Sequence, residues 1–409
     1  MTSQAPSAML VAVLALLTAV TPFSIDMYLS AFPDMAAEFH TTAPMIQLTL
    51  TAFLVGLAVG QLVIGPLSDQ FGRRRPLLIG TVACLIASLL CILAPSIQVL
   101  IGLRFVQGFT GAAGVVIARA IIADRAKGSA AARLFAVMMV IGVLAPITAP
   151  ILGGVVVGGW GWRAVLAALA AMNLLMLVGA LFVVDESLPA QHRRPGGLRS
   201  LAGGMRDVLG NRPYVGYTLT LGLAASAMFA YISASPFILQ NILGFTPQAY
   251  SLTFGACALA IAASGTLSAR LVKTVAPRKL LIGGVSTMVV VTALQLLNVT
   301  VGHVIPWLTI ALMAGFMATV GFTFANATTL AIEQVREAAG TGSAVLGFLQ
   351  YTFGAATTPL VGLAGDASAL PMSIVMFTAA ALAATVLLTL TRHRDTDTFS
   401  ASAELTSTH

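Results

Sequence analysis

Between two apolar runs lies the stretch Gly65-Pro66-Leu67-Ser68-Asp69-Gln70-Phe71-Gly72-Arg73-Arg74-Arg75-Pro76. Gly65 and Gly72 permit a close helix approach and a tight turn. Asp69 can pair with a neighbouring arginine and lock helix ends together. A simple positively charged loop would also accept the arginines. The flanks set the scale. Residues 45–67 before the stretch and 77–93 after it are continuously apolar, each near the roughly 20 residues that a hydrocarbon core about 30 Å thick requires. A barrel strand would alternate apolar and polar at period two, and these runs do not.

Working outward, the same pattern recurs at 8–31, 97–122, 134–157 and 162–184, then at 214–238, 249–270, 280–299, 305–330, 342–364 and 371–391. The expectation is an all-α membrane protein with twelve spans. Composition agrees: of 409 residues 58% are hydrophobic and 9% charged, and mean hydropathy is +0.95. A water-soluble domain of this size cannot hide that much apolar surface. The first run has no Lys or Arg before it in residues 1–7, so it lacks the charged leader of a signal peptide and reads as an uncleaved span. The net charge of +7 falls in short bursts between spans. It forms no continuous basic face, which excludes a nucleic-acid interface. Cys84, Cys91 and Cys257 lie inside apolar runs and read as small buried hydrophobes.

The basic residues orient the chain. Arg73 to Arg75, Arg125, Lys127, Arg133, Arg193, Arg194, Arg199, Arg206, Arg212, Arg270, Lys273, Arg278, Lys279, Arg336, Arg392 and Arg394 follow even-numbered spans, whereas the alternate loops hold Arg163 alone. The positive-inside rule then puts both termini in the cytoplasm. The stretch 185–213 is polar and arginine-rich and separates six spans from six. The expected organisation is an N-terminal half over 1–184, a cytoplasmic linker over 185–213, a C-terminal half over 214–391 and a polar tail over 392–409. The halves repeat one another. Gly65 to Gly80 returns, worn down, as Gly265-Thr-Leu-Ser-Ala-Arg-Leu and Pro277-Arg-Lys-Leu-Leu-Ile-Gly283. Gly108, Gly114 and Arg119 match Gly315, Gly321 and Asn326 at one offset. Parallel six-helix repeats imply a substrate path at their interface.

The loop at Gly65 resembles the signature G-x-L-a-D-r-x-G-r-r of the major facilitator superfamily, with Ser68 where alanine is common. The resemblance implies two pseudo-symmetric six-helix bundles and a gating role for Gly65, Asp69, Gly72, Arg73, Arg74 and, below span 4, Asp124. Span 5 carries Gly142, Pro146, Pro150, Gly153 and Gly154. It resembles the superfamily's antiporter motif G-x-x-x-G-P-x-x-G-G, with Ala149 in place of the glycine before Pro150. An ordinary kinked helix is the alternative.

Asp26, in Asp26-Met-Tyr-Leu-Ser-Ala-Phe-Pro33, is the one acidic residue inside an apolar run. A carboxylate at membrane depth costs about 2.5–3.5 kcal/mol on insertion scales, so it needs a partner or a role. Span 4 offers Arg104, in Arg104-Phe-Val-Gln107-Gly108, at a similar depth. The alternatives are a solvated Asp26 beside Asp34 and Glu38, and a purely structural Arg104. R-x-x-Q-G resembles the helix-4 motif of proton-coupled exporters, which implies a proton-coupling role for Asp26 and Arg104. The string from Asp26 resembles the D-M-Y-L-P-a-l-P signature of the Bcr/CflA group of drug:proton antiporters, with Ser30 replacing the first proline.

Candidate substrate contacts are Asp26, Gln107, Tyr231, Asn326 and Gln350, although such polar groups equally bond neighbouring helices. No phosphate-binding loop, nucleophile elbow or metal-ligand spacing is present, so no enzymatic activity and no metal are expected. The expectation is a drug:proton antiporter of a bacterial inner membrane, exporting small amphipathic compounds such as chloramphenicol- or bicyclomycin-like antibiotics. It would act as a monomer, with protons and the lipid bilayer as its other partners. The proton gradient supplies the energy and no cofactor is needed. The alternative is a carrier of the same superfamily for an amino acid, sugar or siderophore.

Overall fold

A computed structural model describes residues 7–126, 128–193, 197–301, 305–363, 365 and 368–391. The tail over 392–409, Lys127 and Arg194 lie outside them. The helices are α1 (Ala8–Asp26), α2 (Phe32–Glu38), α3 (Ala43–Phe71), α4 (Arg74–Ile92), α5 (Ile97–Arg125), α6 (Gly128–Trp160) and α7 (Trp162–Val183). They continue as α8 (Gly197–Gly210), α9 (Arg212–Phe237), α10 (Pro247–Leu271), α11 (Pro277–Thr300), α12 (Pro306–Glu333), α13 (Ala339–Thr357) and α14 (Leu370–Leu390).

Several helix starts carry chemistry that supplies a partner or removes a donor. The hydroxyls of Ser7, Ser96 and Thr246 accept from backbone N–H groups of the first turns of α1, α5 and α10. Proline stands in the first turn of α9 to α12, where its missing N–H costs nothing.

The span expected over 8–31 is broken. α1 stops at Asp26, a 3-10 turn covers Leu29–Ala31, and α2 restarts with Pro33 in its first turn. The other spans stand within a few residues of the expected limits, most running a turn further into the polar zones.

Eleven of the described spans are long and apolar enough to cross a membrane, one fewer than the twelve expected. The exception is α13. Gly340, Thr341, Gly342, Ser343, Gln350, Tyr351 and Thr352 dilute it, and it ends in the 3-10 turn Thr358–Gly362. It packs against α3 and α9, and those protein neighbours make strong apolarity unnecessary along the contact.

Helices α1 to α7 pack chiefly among themselves, α3 on α5, α4 on α5 and α7, and α1 on α6. Helices α9 to α14 do likewise, with α9 against α12, α13 and α14. Two long contacts join the groups: α6 with α10 and α3 with α13. Within 185–213, α8 lies across α3 and α13 and so touches both groups. Its Val208 is buried beneath Tyr214 and Tyr217 of α9.

Candidate functional site

Two clusters of polar side chains stand at opposite depths of the bundle. The first is at the end where Arg73 to Arg75 stand. Gly72 ends α3 with φ +90°, a backbone state that favours glycine. A Cβ there would lie 2.3 Å from Glu186 Oε2. The turn brings Arg73 over the ends of three helices. Its Nη1 donates to Asp69 Oδ1 at 2.5 Å and to Ser68 Oγ at 2.7 Å, and its Nε donates to Asp124 Oδ2 at 2.9 Å. Burial works against the Arg73 cation, but the bonds to Asp124 and Asp69 outweigh it and hold its pKa above the ordinary arginine value. Ser68, the departure from the family pattern, therefore supplies an extra acceptor.

The sequence reading missed Glu186. Its carboxylate accepts from the backbone N–H of Arg73 at 2.8 Å and of Arg74 at 3.4 Å, sitting on the N-terminus of α4. Burial pushes its pKa up, but backbone bonds from Leu188, Arg73 and Arg74, with the charge of Arg193, hold it below the usual carboxylate range. Arg74 donates to Leu181 O. Gly65 faces Val116 at an ordinary distance of 3.7 Å. All these partners belong to α3, α4, α5, α7 and the segment after α7. In this conformation the candidate gating residues tie the first group of helices together and make no bond to the second among the described residues.

The second cluster surrounds the break in α1. Asp26 is the last residue of α1 and is buried. It does not pair with Arg104, contrary to expectation. Arg104 Nη2 donates to Ser24 O at 2.7 Å and Nη1 to Gln107 Oε1 at 2.6 Å. The physical reason is the break itself. Carbonyls of the last turn lose their helical partners when a helix stops, and a cation is favoured at that C-terminus. Arg104 takes one such carbonyl while its guanidinium stacks on Tyr28 and Phe53, 4.2 and 4.5 Å from the ring centroids. Gln107 is spent as well: its Nε2 donates to Ser88 Oγ at 2.7 Å, and Asn173 bonds the same oxygen.

Asp26 has no ion-pair partner among the described residues. Three tyrosines of the second group of helices lie inside the bundle: Tyr231 and Tyr250 are buried and Tyr351 is half-buried. Tyr231 stacks on Phe254 with centroids 5.5 Å apart. Apart from the nearby Cys257 thiol, its hydroxyl has no partner among the described residues. Tyr250 shares a 3.4 Å contact with Ser235. Arg119 is exposed on α5. Tyrosines inside apolar runs were the signal available for Tyr250 and Tyr351, since a buried ring with a polar tip usually finds a polar neighbour. Of the other candidates, Asn326 is occupied, its Nδ2 donating to Ser268 Oγ and Phe322 O, both at 2.8 Å. Gln350 is half-buried with no hydrogen bond among the described residues.

Immediately beyond Asp26 the two groups of helices touch. Within the first group, Gly153 of α6 meets the backbone of Met27, where an added Cβ would fall 1.9 Å from the carbonyl oxygen. Gly154, one residue on, meets Ser251 and Pro247 of α10. Gln240 Nε2 donates to Ser30 O and Gln47 Nε2 to Ser233 O, both at 3.2 Å. Phe32 packs on Phe237. These contacts seal the bundle at the end opposite the arginines. The paired glycines of the antiporter-like motif thus serve two different neighbours. Pro146 and Pro150 lie inside α6, and Gly142 faces open space.

Comparison with known proteins follows the same lines. The Major Facilitator Superfamily family matches residues 14–359. The uncharacterized MFS-type transporter YdgK of Bacillus subtilis is 36% identical over 93% of this chain and 95% of its own. The bicyclomycin resistance protein homolog of Haemophilus influenzae is 28% identical over 92% and 94%. The multidrug resistance protein MdtL of Salmonella heidelberg is 28% identical over 80% and 82%. Among solved structures, a bacterial homologue of the human lysosomal transporter Spinster, inward-facing and unoccupied, aligns with a TM-score of 0.76 at 16% identity, over 94% of this chain and 96% of that one. It shares the fold. The loop signature, the helical bundle and the relatives agree that the chain is a multi-pass membrane transporter of the Major Facilitator Superfamily.

Proposed function

We propose that the protein exports small amphipathic compounds, antibiotics among them, in exchange for protons. The observation that carries this reading is the position of Asp26, a buried carboxyl without an ion-pair partner among the described residues, directly beside the seal. The next four residues include Ser30, whose carbonyl accepts one of the seal's bonds from Gln240, and Met27, which packs on Gly153 within the first group. A proton taken up or lost at Asp26 therefore acts on the element that must move when this end opens. The resistance names of two relatives support a drug-like cargo.

In this reading the arginine-rich end faces the cytoplasm of a bacterial inner membrane, with both termini on that side, as the positive-inside rule directs. The halves 1–184 and 214–391 rock about the interface, and the protein works as a monomer driven by the proton gradient alone. From the cytoplasm, deprotonated Asp26 permits capture of an amphipathic substrate among Tyr231, Tyr250, Tyr351 and Gln350. When the seal opens, protonation of Asp26 lowers substrate affinity and the empty carrier returns. Arg104 and Gln107 hold the end of α1 and so position Asp26. The Asp69–Arg73–Asp124 cluster keeps the first half rigid and meets the second half when the cytoplasmic side closes.

Proton movement in proteoliposomes under an imposed pH gradient tests the proposal, with a panel of amphipathic antibiotics added to wild type and Asp26→Asn. The expected result is proton efflux triggered by at least one compound and lost in the variant, which still folds. Unchanged compound-dependent proton flux in Asp26→Asn overturns the mechanism. Silence across the panel in folded wild type redirects the cargo to metabolites.

A further inference from the structure

On the outer surface of the first group of helices a groove of about 440 Å³ runs between α3, α4 and α5. Its walls are Ile64 and Leu67 of α3, Ala83 of α4 and Phe109 of α5. Phe71 and Ile79 flank it and are 50% and 71% exposed, so the groove opens toward lipid and away from the interface of the halves. Two lining residues carry polar side chains. Thr110 is one, and its hydroxyl is spent on Val106 O at 2.7 Å. Arg75 is the other, at the mouth.

The three arginines of this loop divide their work. Arg73 is held by Asp69 and Asp124, and Arg74 by Leu181 O. Arg75 is exposed and has no ion pair or hydrogen bond among the described residues. The groove also fits in length. From Arg75 to Ala83 is eight residues of helix, about 12 Å at 1.5 Å each. One leaflet of hydrocarbon is about 15 Å deep, half of the full core. An apolar slot one leaflet deep, with nothing for a polar cargo to bond and a lone cation at headgroup level, matches one molecule.

We propose that this groove is a binding site for an anionic phospholipid, with an acyl chain between α3 and α4 and the headgroup phosphate on Arg75. Two of the groove's walls are the helices that meet at Gly72, so the bound lipid fastens α3 to α4 from outside, where Arg73 at the head of α4 already bonds Asp69 and Ser68 of α3. The site involves the first group of helices alone and travels with it.

Native mass spectrometry of the purified full-length protein tests the inference. Phosphatidylglycerol and phosphatidylcholine of the same acyl chains are supplied separately, wild type is compared with Arg75→Gln and Ala83→Phe, and folding is checked by thermal unfolding. In wild type one phosphatidylglycerol per chain should survive activation that strips phosphatidylcholine. Arg75→Gln should lower its retention about fivefold, the scale of one basic residue at an anionic surface, and leave phosphatidylcholine unchanged. Ala83→Phe fills the slot and should lower both. Free glycerol phosphate should not compete. Equal retention of the two lipids by wild type overturns the proposal, as does undiminished phosphatidylglycerol binding in Arg75→Gln or displacement by glycerol phosphate. If Ala83→Phe does not fold, the surface variant Arg75→Gln still decides.

Discussion

Glu186 shows how much a single carboxylate can organise. It accepts two backbone N–H groups at the start of α4 and closes over Gly72, the residue with φ +90°. Its folded pKa lies below the usual 4.5. A carboxyl with a depressed pKa stabilises the fold at pH values above its ordinary pKa, and that contribution is lost as pH falls through the folded value. Glu186→Gln should therefore lower stability at pH 7 by about 1 kcal/mol or less, since the group is largely exposed. It should also flatten the decline of the unfolding temperature below about pH 4.5. Thermal scans of both proteins from pH 7 to pH 3 make the comparison. An identical acid limb in the variant would remove Glu186 from this role. Nothing in the sequence around Asp185-Glu186 announces the contact, because Glu186 is more than a hundred residues from Arg73.

Among the elements, α6 carries the sharpest constraint. Gly153 and Gly154 are adjacent, so their α-carbons point about 100° apart around the helix, one toward Met27 and the other toward Ser251. Both side chains must be absent for α6 to sit between α1 and α10. Gly153→Val should destabilise the protein by at least about 2 kcal/mol, because a backbone carbonyl cannot step aside as a flexible side chain does. The measurement is the fraction of folded protein in detergent at rising temperature, and wild-type behaviour would show that α1 yields.

The element scale is also where the sequence was most legible. Run length and charge placement located the helices, since lipid imposes length and positive loops impose direction. The break after Asp26 was not legible. Its local sequence is as apolar as a continuous span, and the arginine that supports the broken end comes from α5. For the same reason the loop motif pointed to Asp69, Arg73 and Asp124, which the fold brings into hydrogen-bond contact, whereas the partner of Arg104 was misread. Motif spacing reports neighbours on one helix, but a carbonyl exposed by a distant break leaves no mark in the sequence.

In the whole molecule, the contacts between the two helix groups concentrate at the end opposite the arginines, and this suggests a reversible lock. An ideal Cβ on residue 154 lies 2.6 Å from Ser251 Cβ. A disulfide needs about 3.5–4.5 Å between Cβ atoms, so a shift near 1 Å suffices. The pair Gly154→Cys with Ser251→Cys should cross-link on oxidation and stop transport in proteoliposomes, with recovery on reduction. The three native cysteines are all buried and stay out of the reaction. Transport that continues through a fully formed cross-link would mean that this end never opens.

The composition of α13 has a consequence for how the chain is made. Eleven described spans are apolar enough to enter lipid unaided, whereas α13, with four glycines and a run of hydroxyl and amide side chains, gains little from the bilayer itself. Insertion from the translocon weighs each segment by its own apolarity, so this helix must be recruited by segments already delivered or by α14 arriving behind it. Its entry is thus an assembly step as much as a partitioning step.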